Sequence, residues 1–89
     1  MAKTFLTAAA KHMDDRAKTY DADEGERTIG RVVASFNVMF NKDLTETEGW
    51  HFMVLLKMAR SAQGGFKADT FEDMTAYSAL AGESAARGL

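Results

Sequence analysis

The sequence predicts an all-α domain, an antiparallel bundle of four helices. Three observations lead there. None of the 89 residues is proline, so no backbone donor is lost inside a helix. Fifteen are alanine, the residue of highest helix propensity. Apolar residues recur at i, i+3, i+4 and i+7 along several stretches, which is the period of a one-sided helix. The length suits one domain over residues 1–89, and a chain of this size buries roughly 60–65% of its unfolded surface.

Helix one is predicted over residues 4–19, with Phe5, Ala9, Met13, Ala17 and Tyr20 on one stripe and most charges off it. The acidic stretch from Tyr20 to Gly25 breaks it. Helix two follows over 26–40, where Ile29, Val32, Val33, Phe36, Met39 and Phe40 form the clearest amphipathic stripe in the chain. Gly30 lies inside it, at a cost of about 1 kcal/mol relative to alanine. A close helix crossing would account for that glycine. Asn41, Lys42 and Asp43 end the helix.

Helix three is predicted over 45–63. Thr45 and Glu48 make a capping box, each side chain satisfying the other residue's free backbone N–H. Trp50, Met53, Val54 and Met58 line one side, while Phe52, Leu55, Leu56 and Ala59 line the other. A helix apolar on nearly all sides is expected at the packed centre. Gly64 and Gly65 provide its stop. Helix four is predicted over 70–86, with Asp69 and Glu72 in a cap-like pattern and Phe71, Met74, Tyr77 or Ser78, Leu80 and Ala81 facing inward. Connections of about four to seven residues suit antiparallel neighbours.

Composition removes several function classes. The chain has no cysteine, which excludes disulfides, thiol catalysis and cysteine zinc sites. A net charge of −2 gives no general attraction to nucleic acid. The connection at Gln63–Phe66 is also long for a helix-turn-helix, so a DNA-binding regulator is disfavoured. No segment has the ~18–20 apolar residues of a membrane span, and the N-terminal apolar stretch is too short and polar for a signal peptide. The expected location is the cytoplasm, that of the host if the gene is viral. His12 and His51 have no zinc-ligand spacing, and phosphate-loop and nucleophile-elbow motifs are absent.

Two clusters could carry chemistry. Asp21, Asp23, Glu24 and Glu26 offer carboxylates suited to a hard cation, but without EF-hand spacing they read as a solvated loop. Lys57 and Arg60 are three apart on one helix face, and antiparallel packing would bring them opposite Asp73, with Asp69 close by. This cluster has two readings. One is a phosphate-binding pair, for which arginine is geometrically suited. The other, favoured, is an ion-pair network that sets helix register. Arg31 and Tyr77 complete the candidate ligand-binding set. No catalytic and no metal-binding residue is assigned.

Several segments occur in a telling order: Arg16-Ala-Lys-Thr-Tyr20-Asp21, Gly25-Glu26-Arg27-Thr28-Ile29-Gly30, Ala34-Ser-Phe36-Asn37, Leu44-Thr45-Glu46-x-Glu48-Gly49-Trp50, Leu55-Leu56-Lys57-x-x-Arg60-Ser61 and Asp69-x-x-x-Asp73-x-x-Ala76-Tyr77-x-Ala79-Leu80. Together, over residues 8–83, they resemble a family of small helical proteins of tailed phages and prophages. A wider likeness is to the MazG-like all-α nucleotide pyrophosphohydrolases. Those enzymes hold Mg²⁺ with a Glu-x-x-Glu pair and a Glu-x-x-Asp pair, and neither pattern occurs here. Lys57 and Arg60 stand where the second helix would offer acids, and cations repel a metal.

The expected function is therefore that of a non-enzymatic phage accessory protein. It would bind a host or phage protein, with counter-defence as one setting, and associate with itself, without a cofactor. The alternative is a MazG-like nucleotide-binding or nucleotide-hydrolysing protein with a degenerate metal motif. There Lys57, Arg60 and Arg31 would meet phosphates, Asp69 and Asp73 would orient the cations or bind metal, and Mg²⁺ would be the cofactor.

Overall fold

The computed structural model describes residues 1–20 and 27–89. Four helices make up the fold: α1 (Ala2–Tyr20), α2 (Thr28–Phe40), α3 (Glu46–Ser61) and α4 (Ala68–Ala86). There is no strand among the described residues. The all-α, bundle-like architecture expected from the periodicity is the one observed. The acidic cluster Asp21, Asp23, Glu24 and Glu26 lies outside the described residues, as do the side chains of Ala17 and Tyr20.

The stops of α2 and α3 and the start of α3 act as expected. Asn41 ends α2 in the left-handed region at φ 53°, and its N–H donates to the Asn37 carbonyl. The Asn37 side chain then clasps Leu44 through both its backbone groups, at 2.9 Å each. At α3 the capping box is complete. Thr45 Oγ1 accepts from the Glu48 N–H at 3.0 Å, and Glu48 Oε1 accepts from the Thr45 N–H at 2.9 Å. Gly64 follows α3 at φ 74°, a conformation that favours glycine. The start of α4 differs from expectation. Its N-cap is Lys67, with no side-chain cap, and Asp69 sits in the first turn. Glu72 is drawn away from the helix end, to His12 Nε2 at 3.0 Å.

Packing runs as a chain of neighbours, α1 on α4, α4 on α3, and α3 on α2. Of these three, the α3–α4 contact is the most extensive and the α2–α3 contact the least. The two central helices are antiparallel, since Thr47 bonds Ser84 near one end and Lys57 pairs with Asp73 near the other. The core is small: Ile29, Val33, Trp50, Leu80 and Ala81, with Met13, Leu44, Met53 and Tyr77 against it. The expectation that α3 is the covered centre holds for one side only. Phe52, Leu55 and Leu56 on its outer side are exposed, while α4 contributes more buried positions than any other helix. An apolar helix surface states what must leave water, not whether the same chain covers it.

The close helix crossing expected at Gly30 is found at Gly49 instead. Gly30 makes room for the Glu46 carboxylate, not for another backbone. Gly49, buried in α3, is the crossing point. A Cβ there would lie 2.6 Å from Val33 Cγ2 and 2.9 Å from Ile29 Cγ1. Both neighbours are β-branched and stiff at χ1, so they cannot yield. Replacing Gly49 by alanine gains about 1 kcal/mol of helix propensity against an overpacking penalty of about 1–3 kcal/mol. The expected net loss is about 1 kcal/mol, seen as a Tm lower by roughly 4–8 °C. A raised Tm in thermal unfolding would show that the crossing can relax.

Candidate functional site

The candidate cluster assembles where α3 ends and α4 begins. Antiparallel packing brings Lys57 Nζ within 3.0 Å of Asp73 Oδ2, with side chains 13% and 33% exposed. Lys57 buries its aliphatic stem and delivers its charge to the carboxylate, as long basic side chains do at a core edge. Arg60, one turn later, does not share Asp73. It lines a cavity of about 270 Å³ with Lys57, Lys67, Asp69 and the buried Thr70. Neither Arg60 nor Lys67 pairs with a carboxylate among the described residues.

The other two candidates lie elsewhere. Tyr77 stacks on Trp50, ring centroids 5.9 Å apart at 26°, and packs against the core cluster. Arg31 is exposed on α2 and does not line the cavity. The structure thus gathers Lys57, Arg60, Asp69 and Asp73 into one neighbourhood and places Tyr77 and Arg31 outside it.

The Lys57–Asp73 pair has a testable energetic signature. Removing one member of a partly buried pair strands the other charge, whereas removing both replaces them with apolar packing. Asp73→Ala is expected to cost about 1–2 kcal/mol, and Lys57→Met with Asp73→Leu to be near neutral. Urea unfolding of both variants checks this. Equal losses in single and double variants would show that the charges themselves do not interact.

Sequence reasoning passed over a second feature beside this cavity. Phe66 and Phe71 stack with centroids 5.9 Å apart, and Phe5 of α1 meets both edge-on at 6.5 and 6.4 Å. These rings, with Met74, line an open apolar groove of about 550 Å³. Phe66 is 73% exposed. The groove and the polar cavity share the Phe66 and Phe71 rings as a common wall. Phe66 lies between two helical stripes, so periodicity could not assign it a partner. Its place in an otherwise polar connection was the available signal.

Among the described residues no three or more histidine, aspartate or glutamate side chains group as ligands. Asp73 is already engaged by Lys57, which leaves Asp69 beside cations. That donor set does not fit the two acidic pairs that Mg²⁺-dependent pyrophosphohydrolysis uses. Among the described residues, no helix is long and apolar enough to cross a membrane.

A family model described as Domain of unknown function (DUF6378) matches residues 4–85. The chain matches no curated protein and no solved structure.

Proposed function

The chain belongs to the DUF6378 family, and from that premise we propose that it is a non-enzymatic binding protein that docks another protein. The groove of Phe5, Phe66, Phe71 and Met74 carries this reading. Exposed aromatic rings gathered in a concave surface favour an apolar anchor from a partner, because the rings leave water when it binds. Arg60 and Lys67 on the adjoining wall favour acidic residues next to that anchor. The expected partner segment is therefore an amphipathic helix with an acidic flank, laid into the groove by its apolar face. The ordered motifs from Arg16 to Leu80 support a phage accessory protein acting in the host cytoplasm, with counter-defence as one setting.

Affinity capture from host lysate tests the reading. Wild-type protein should enrich a partner that the Phe66→Glu variant loses. Phe66 is exposed, so this variant should keep its fold. Failure to enrich any protein, or equal enrichment by both forms, removes the proposal.

The cavity itself favours a second reading. Lys57, Arg60, Lys67 and Thr70 in one polar recess beside aromatic rings suit the phosphates and base of a nucleotide, in line with the MazG-like likeness. Thermal shift against a nucleotide panel, with and without Mg²⁺, separates the two. A nucleotide at 100 times its Kd stabilises by about 2.7 kcal/mol. No shift for any nucleotide would eliminate this second reading.

A further inference from the structure

We propose that a second copy of this chain covers the bare apolar face formed by α2 and the outer side of α3. This surface is separate from the groove above, and the proposal stands independently of it. In the thirteen residues of α2 there is one charge, Arg31. Yet only Ile29 and Val33 of that helix are buried, where they meet Gly49 of α3. Their stripe continues, one and two turns on, as Phe36 and Phe40, whose rings lie 4.9 Å apart and are exposed. Val32 and Met39 widen it, and on α3 Phe52 and Leu56, three and seven residues past Gly49, are exposed as well. One stripe is thus half covered by its own chain and half bare.

The amount of surface points to a partner of interface size. The chain exposes 6281 Å². A monomer of 9.8 kDa is expected to expose about 5,200 Å² from the scaling of surface with mass. The surplus of roughly 1,100 Å², spread over the whole chain, leaves room for the ~800 Å² that each partner contributes to a standard interface. The radius of gyration of 13.8 Å likewise exceeds the ~12 Å of a compact domain this long.

The chemistry of the face selects a second copy. In a two-fold interface each residue near the axis faces its own counterpart, so any charge there meets a like charge. The stripe from Val32 to Phe40 carries none. Laying it on its copy joins the α2–α3 pair of each chain into a four-helix unit, in which both bare stripes leave water.

Size-exclusion chromatography with light scattering, across a concentration series, tests the proposal. The wild type is expected at the mass of two chains. Phe36→Glu should raise the dimer dissociation constant by roughly 100-fold, the effect of a charge at an interface hot spot, with helical circular dichroism retained. Phe66→Glu, on the groove, should leave the dimer intact. A monomeric wild type overturns the proposal. So does a dimer that Phe36→Glu leaves unchanged or Phe66→Glu disrupts. Should Phe36→Glu fail to fold, amide exchange on the wild type decides. Protection of α2 that grows with protein concentration supports the interface, and its absence from α2 overturns it.

Discussion

Replacing Trp50 by alanine is expected to remove about 3–5 kcal/mol of stability. For a chain of this length, with total stability of roughly 0.05–0.15 kcal/mol per residue, that is a large part of what holds the fold. Trp50 is 4% exposed and is the largest member of a core otherwise built from Ile29, Val33, Leu80 and Ala81. It stacks on Tyr77 of α4 and lies beside the Gly49 crossing with α2, so it binds three helices together. Neighbours as small as Ala81 cannot collapse into the space an indole leaves, and the cavity term therefore adds to the lost transfer energy. Trp50→Phe, which keeps a ring against Tyr77, should lose less than half as much. Urea denaturation followed by circular dichroism measures both. A loss for Trp50→Ala below about 1 kcal/mol would mean that the core does not depend on this side chain.

Removing the Glu46 side chain should release α2 while leaving the α3–α4 pair in place. Arg27, just before α2, donates from Nε to both Glu46 carboxylate oxygens, at 3.1 and 2.9 Å, and pairs with it through Nη2 as well. Glu46 is largely buried, lies over Gly30, and opens the first turn of α3, where its charge also complements the helix dipole. Besides this fork, α2 holds to α3 chiefly through Ile29 and Val33 on Gly49. Breaking a partly buried, bidentate pair is expected to cost about 2 kcal/mol. Because that cost falls on one peripheral helix, it should appear as local opening. In Glu46→Ala, amides of α2 should exchange faster while those of α3 and α4 keep their protection. Glu46→Gln, still an acceptor, should recover part of the difference. Uniform loss of protection across all four helices would count against a local anchor.

These two residues also show how legible the molecule is. Trp50 stood out as a large apolar residue on the stripe of a well-capped helix, and its burial follows. The capping box engages Thr45 with Glu48 and leaves Glu46 to a partner nineteen residues earlier. No spacing rule reaches that far. The candidate site divides in the same way. That Lys57 faces Asp73 followed from helix periodicity plus antiparallel packing, and it is observed. That Arg60 turns to the cavity depends on where the α3–α4 connection runs, as does the meeting of Phe66 with Phe71 and Phe5.

Interactions within about four residues are written directly into the chain. Helix existence, the Thr45–Glu48 cap and the Asn41 and Gly64 stops belong to this class, because each is a contest between neighbouring backbone groups and a nearby side chain. The identity of the covered faces does not. Ile29 and Phe36 lie on one stripe with the same periodic signature, yet Ile29 is buried and Phe36 is partly exposed. The difference is that α3 crosses α2 at Gly49 and then leaves it. Gly30 and Gly49 were likewise equivalent in sequence, and a carboxylate fills the space at one while a helix crosses at the other. Burial is a property of two surfaces brought together, and a single stripe specifies only one of them.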